Sequence, residues 1–172
     1  MTAAGIVFFP LLGAIIAGLF GRWIGDRPAQ LVTCTGMVLS SICAWIVLFS
    51  VVGTEGFKVD VLTWIHSGTF EADWTIRVDP LSAIMMFVVS TVSTLIHIYS
   101  IGYMSHDPHI PRFMAYLSLF TFFMLALVTA DNFLQLFFGW EAVGLMSYLL
   151  IGFWFKRETA IFANLKAFLV NR

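Results

Sequence analysis

The sequence predicts an all-α polytopic membrane protein with five transmembrane helices, the start of a sixth, and a short β-hairpin in the loop between helices 2 and 3. Three observations point there. Of 172 residues, 60% are hydrophobic and only 11% are charged, and the mean hydropathy is +0.92. Soluble domains carry about a quarter charged residues, and a water-soluble fold of this size has no means of hiding so much apolar surface. The apolar residues also fall in long runs near the ~20 residues that cross a ~30 Å hydrocarbon core as helix. Between the runs lie short connections that hold most of the charge.

The first run, Ala3 to Gly21, is uncharged, and Met1 to Pro10 contains no basic residue. Without the charged leading region of a cleaved signal, it is expected to stay as an anchor. The second run, Leu31 to Val52, is also uncharged. Its two cysteines, Cys34 and Cys43, form no metal or redox spacing and read as small buried apolar residues. Then comes a polar loop, Gly53 to Asp79. In it Phe70, Ala72, Trp74, Ile76 and Val78 alternate with Glu71, Asp73, Thr75 and Arg77, and Phe57, Val59 and Val61 repeat the pattern. A period of two predicts two half-buried strands paired as a hairpin; an irregular cap lying on the bundle is the alternative.

The third run, Leu81 to Met104, contains His97 as its one ionisable interior residue, and the fourth, Phe113 to Ala130, is uncharged. The fifth, Asn132 to Phe155, carries Glu141. A sixth helix begins near Thr159, contains Lys166 and is still running at Arg172; it covers only ~20 Å, too little to span. A further segment or chain continuing after Arg172 is therefore expected. The chain divides into 1–52 (helices 1 and 2), 53–79 (the hairpin loop) and 80–172 (helices 3 to 6).

Charge sets the orientation. Arg22, Arg27, Arg112, Lys156 and Arg157 lie on one side, five basic residues in all. The hairpin loop and the turn at Asp131 hold two basic and six acidic residues on the other. Lysine and arginine mark the cytoplasmic or matrix side, which puts the N-terminus on the periplasmic or intermembrane side. With 9 basic and 10 acidic residues overall, no nucleic-acid partner is expected; the bilayer is the first partner.

Glu141 is the most informative residue. It stands near the middle of its run, where an unpaired carboxylate costs several kcal/mol, so such residues face the bundle interior and find partners. Burial favours the neutral form of a carboxyl and a nearby cation the charged form; a site held between the two exchanges protons. A static ion pair that fixes helix packing is the competing reading. The short link Lys156-Arg157-Glu158 makes helices 5 and 6 antiparallel neighbours. Measured from Arg157 at ~1.5 Å per residue, Glu141 lies ~24 Å along its helix, Arg172 ~22 Å and Lys166 ~13 Å along the next. Arg172 matches the depth of Glu141, and Lys166 reaches it only through water. Gly139, Gly144, Ser147 and Gly152 are small enough for close helix approach, and Gly144 shares the Glu141 face, leaving space for a side chain or a water. His97 is either a proton relay or a histidine bonded to a neighbour. His106 and His109 lack further ligands and read as loop polarity. No phosphate loop, dinucleotide fingerprint or iron–sulfur cysteine set is present, so no cofactor is expected in this chain.

Several stretches carry a family resemblance. They are LIHIYSIGYM (Leu95 to Met104), PRFMAYLSLF (Pro111 to Phe120), Ala130-Asp131-Asn132, GWEAVGLMSYLLIGFW (Gly139 to Trp154) and KAFLVNR (Lys166 to Arg172). They resemble the antiporter-like L-type subunit of NADH:quinone oxidoreductase, respiratory complex I, whose pattern is Trp-Glu-x-x-Gly followed by Ser-Tyr-Leu-Leu-Ile. The resemblance covers nearly the whole chain. It implies about fourteen or more helices in two inverted repeats, of which this chain supplies the leading part. It implies that Glu141 is the fifth-helix glutamate of a proton path, working with a lysine on a later helix, and that Arg172 is the sixth-helix arginine beside it. It implies partners in the membrane arm, above all the adjacent antiporter-like subunit, and NADH, FMN, iron–sulfur clusters and quinone held by other subunits. The location implied is the bacterial or mitochondrial inner membrane. The large subunit of multisubunit Na+/H+ antiporters shares much of the pattern, although Asp107 to Phe113 and Val170-Asn171-Arg172 look closer to complex I. A divided fragment that only contributes helices to assembly is the remaining alternative.

Overall fold

In lipid every backbone polar group needs an internal partner, and five helices of 19 to 26 residues meet that demand along most of this chain. The computed structural model describes residues 2–171. In order they form α1 (Thr2–Ile24), α2 (Asp26–Val51), β1 (Phe57–Ser67), β2 (Phe70–Val78), α3 (Pro80–Tyr103), α4 (Ile110–Val128), α5 (Phe133–Ile151) and α6 (Glu158–Asn171). Helices α1 to α5 are long and apolar enough to cross a membrane, as the pattern predicts. Helix α4 is the hub, packed against α1, α2, α3 and α5, while α6 leans on α5 with no fully buried residue.

The connection expected over 21–30 is helical except for Gly25. Its φ of 87° turns the chain in a single residue, a conformation that L side chains resist. Helix α2 then starts at Asp26, before the apolar run, because Pro28 lies in the first turn, where no N–H is needed. The two helices meet closely. A Cβ at Gly36 would stand 3.0 Å from the Phe9 carbonyl oxygen, and one at Gly13 would stand 3.3 Å from Thr33 Cα. Pro10, inside α1, has no N–H to offer the carbonyl of Ile6. Ser40 of α2 supplies the missing donor, its hydroxyl 2.6 Å from that oxygen.

The hairpin forms as the alternation predicts, β1 antiparallel to β2, with register shifts at Asp60/Leu62 and Thr63/Ile65. Gly56 begins it with a φ of 85°; a side chain there would run into the Val78 carbonyl. The alternation fails at the first residue of each strand and at one inner position: Phe57 and Phe70, assigned to the buried face, are 41% and 51% exposed, and Thr75, assigned to solvent, is 5% exposed. Its amide donates to Gln135 Oε1 (3.3 Å) and its hydroxyl to Asp60 Oδ1 (3.0 Å), so contact with α5 overrides the two-residue period.

The hairpin is bolted to the α4–α5 turn. Arg77 N–H donates to the Thr129 carbonyl (2.9 Å), Ile76 pairs with Ala130, and Asn132 Nδ2 donates to the Asp73 carbonyl (2.8 Å). Lys58 and Asp131 form an ion pair at 2.8 Å. Trp64, Trp74 and Phe138 close the joint with edge-on rings 5.1 to 5.9 Å apart. Beneath it lies the main core, in which Ile6, Val47, Val51, Ile76, Val78, Met86 and Leu125 join α1 to α4.

Candidate functional site

Helix α5 carries Glu141 nearly midway along its length, half-buried. Local chemistry fixes that depth. Asn132 caps the helix, its side-chain oxygen accepting from the Gln135 amide at 2.8 Å, and the hairpin grips the residues on either side of the cap. On the flank toward α4, Gly139 lets the backbones nearly touch: a Cβ there would stand 2.8 Å from Leu127 Cα.

On the other flank α6 runs back antiparallel to α5 in a regular zipper. The Asn164 amide fills the place of a side chain at Gly152, Phe168 meets the Tyr148 ring at 5.5 Å, and the Asn171 amide fills the place at Gly144. The space expected beside Gly144 is therefore taken by Asn171, one helical turn from Glu141. Glu141 itself is not without a partner. Arg172, the partner that depth favoured, lies outside the described residues. Lys166 is exposed and stands two positions from Asn164, which turns it about 200° around the helix from the α5 contact line. The described structure does not bring it to Glu141.

His97 occupies a different interface, between α3 and α4. It is fully buried, with Nδ1 2.8 Å from the Ser93 carbonyl and Nε2 3.0 Å from Ser118 Oγ. A carbonyl only accepts, so Nδ1 carries the proton, and in the neutral ring Nε2 accepts from the Ser118 hydroxyl. Ser93 continues the chain to Thr121 Oγ1 at 2.5 Å. Both nitrogens are thus committed to neighbours, and α4 separates this polar chain from the α5–α6 zipper.

Sequence reasoning passed over Gln135. It is fully buried one turn into α5, its oxygen bound to the hairpin through Thr75 and its Nε2 without a partner. The signal was present, a polar amide inside an apolar run, but only ionisable residues were weighed as intramembrane sites. Ser93, Ser118 and Thr121 were missed because hydroxyls satisfy themselves on helix carbonyls and carry little sequence signal. Among the described residues no group of three or more His, Cys, Asp or Glu side chains is placed to hold a metal ion. His106 and His109 lie exposed in the α3–α4 connection.

Residues 64–114 match the family described as NADH-ubiquinone oxidoreductase (complex I), chain 5 N-terminus. Residues 130–172, which include Glu141 and α6, match the family described as NADH:quinone oxidoreductase/Mrp antiporter, TM. NADH-ubiquinone oxidoreductase chain 5 of Arabidopsis thaliana is 54% identical over 97% of this chain and 25% of its own length. NADH-quinone oxidoreductase subunit L of Rickettsia conorii is 50% identical over 97% of this chain and 26% of its own. A solved archaeal respiratory membrane complex, the membrane-bound sulfane sulfur reductase, shares the fold at a TM-score of 0.79. It is 18% identical, and the match covers 97% of this chain and 33% of that one. The chain spans about a quarter of the length of the curated relatives it matches, and it belongs to their family, the chain 5 or subunit L antiporter-like subunits of NADH:quinone oxidoreductase.

Proposed function

We propose that the chain serves in the membrane arm of a proton-pumping NADH:quinone oxidoreductase, with Glu141 as a carboxylate that takes up and releases a proton during turnover. The observation that carries this reading is the half-buried acid midway along an apolar helix, held in depth by a capped, hairpin-clamped N-terminus and flanked by an antiparallel polar zipper. At that depth the free energy of the carboxylate depends on nearby positive charge. A cation drawn toward it favours the ionised form, and a cation drawn away favours uptake of a proton. Arg172, the residue after Asn171 in the sequence, and a lysine on a later helix are the cations assigned to that work; Lys166, on the outer side of α6, and His97, on α3, rank behind them.

The chemistry that drives the charge shift, NADH oxidation and quinone reduction through FMN and iron–sulfur clusters, belongs to other subunits. The adjacent antiporter-like subunit and a segment continuing after Arg172 complete the path. The membrane is a bacterial or mitochondrial inner membrane, with the N-terminus and the hairpin on the periplasmic or intermembrane face. One match is described jointly for the oxidoreductase and the Mrp antiporter, which favours a cation/proton antiporter as the second reading. Co-purification with flavin and iron–sulfur subunits supports the first reading, and isolation with other antiporter subunits alone supports the second.

Glu141→Gln keeps the shape and hydrogen bonding of the side chain but cannot ionise. In the assembled complex it is expected to abolish or strongly reduce proton pumping per NADH while leaving assembly intact. Unchanged pumping with normal assembly would falsify the relay role and leave the acid a packing residue.

A further inference from the structure

At the basic end of the bundle, the end of α1, the start of α4, the α3–α4 connection and Asp26 line an open cavity of about 660 Å³ that the proposed proton path does not use. We propose that it binds the phosphate headgroup of an anionic phospholipid, held between Arg22 and Arg112. Arg22 lies in the last turn of α1 and Arg112 in the first turn of α4, so both guanidinium groups stand where headgroups meet a spanning helix. His109 shares the lining with one carboxylate, Asp26. Two permanent positive charges against one negative leave the cavity cationic.

Arg112 is held in a fixed position at the cavity wall. Its guanidinium lies 4.7 Å from the centre of the Phe153 ring and donates through Nη2 to the Phe153 carbonyl at 3.4 Å, while its enclosed Nε has no hydrogen-bond partner. It also borders a neighbouring hollow with Lys156, Arg157 and Asp107, which adds to the positive field. Arginine pairs with phosphate oxygens through parallel N–H donors.

The surroundings select a lipid over a free anion. Beside the charged groups the cavity lining includes the apolar Leu19 and Ala115. On the adjoining face of α1, Leu19 is 72% exposed and Trp23 is 85% exposed. An aromatic ring at the headgroup level beside an open aliphatic face is the surface an acyl chain and glycerol backbone cover. A soluble phosphate would use only the charges.

The test uses the complete subunit in its assembly, washed in neutral detergent and then given fluorescent phosphatidylglycerol or phosphatidylcholine. Phosphatidylglycerol should be retained in preference. Arg22→Gln should weaken that preference about five-fold, the scale of one basic residue near a membrane surface, and Arg22→Lys should restore most of it. Arg22 is exposed, so these variants do not disturb the core; intact assembly is checked by gel filtration. Equal retention of the two lipids, or no change in Arg22→Gln, would overturn the proposal. Displacement by millimolar inorganic phosphate would overturn the lipid assignment in favour of a free anion.

Discussion

At the scale of single residues, the fold depends on polar atoms that find partners inside an apolar bundle. The clearest case is Ile6, whose carbonyl loses its helical donor to Pro10 and gains Ser40 instead. Ser40→Ala leaves that oxygen unsatisfied and is expected to cost about 1–3 kcal/mol. In a Pro10→Ala background a backbone N–H takes over, so the same substitution should cost much less; thermal unfolding of the four proteins of this cycle measures the difference. Asp79 is a second case. It caps α3 by accepting from the Ser82 amide at 2.7 Å, while Ser82 Oγ accepts from the Asp79 amide at 2.8 Å. The Ser82 amide is the largest influence and lowers the carboxyl; burial, next in size, opposes it, and the Ser82 hydroxyl and Arg77 tip the balance so that the carboxyl stays below its ordinary range. A lowered folded value means the contribution is complete above the ordinary carboxyl range and fades as pH falls through about 4 and below. Asp79→Ala should cost about 1 kcal/mol at neutral pH and flatten the acid limb of stability against pH. Asp79→Asn should keep the cap and lose only the pH dependence. Glu141 was legible in the sequence because one charge in a long apolar run is costly and therefore visible. Ser40 and Gln135 were not, since their value comes from a carbonyl or a strand that only the tertiary structure brings near.

At the scale of elements, hydropathy read the five spanning helices because the bilayer demands an apolar run of about 20 residues, and alternation read the hairpin because a half-buried strand imposes a period of two. Helix ends were read less well. Helix α2 begins before its apolar run, at a start that Gly25 and Pro28 permit but that hydropathy alone does not register. How the hairpin grips α5 was not legible either, since its joints are backbone bonds from Arg77 to Thr129 and side-chain bonds across distant segments. The packing of α5 yields a ranked prediction. A Cβ at Gly139 meets the backbone of Leu127, which has nowhere to go, whereas one at Gly144 meets the flexible end of Asn171. Gly139→Ala should therefore destabilise by about 1–3 kcal/mol and shift α5, lowering pumping as well. Gly144→Ala should cost less in stability and act on the Glu141 environment through Asn171. Equal effects of the two on thermal stability would contradict the close α4–α5 contact.

At the scale of the whole molecule, the hairpin face and the basic face divide the labour. The hairpin face locks the helix ends; the basic face gathers Arg22, Arg112, Lys156 and Arg157. The charge asymmetry predicts that a cysteine placed at Thr69, in the hairpin turn, reacts with an impermeant thiol reagent from the periplasmic or intermembrane side, and one at Glu158 only from the opposite side. Reversed labelling would refute the orientation. The family was legible in the stretches around Glu141, where an acid, small residues and a helix cap stand close together in the sequence. Which cation serves Glu141 in the proposed function was not legible, because Arg172 and Lys166 were ranked by depth alone, and depth says nothing about which side of α6 faces α5. In the proposed function the Glu141 carboxyl changes protonation during turnover. Infrared difference spectroscopy of the assembled complex, with and without NADH and with isotope-labelled glutamate, reads that directly. A protonated-carboxyl band that rises or falls with turnover and is missing in Glu141→Gln is the predicted result. A spectrum identical in the wild type and the variant would contradict the account.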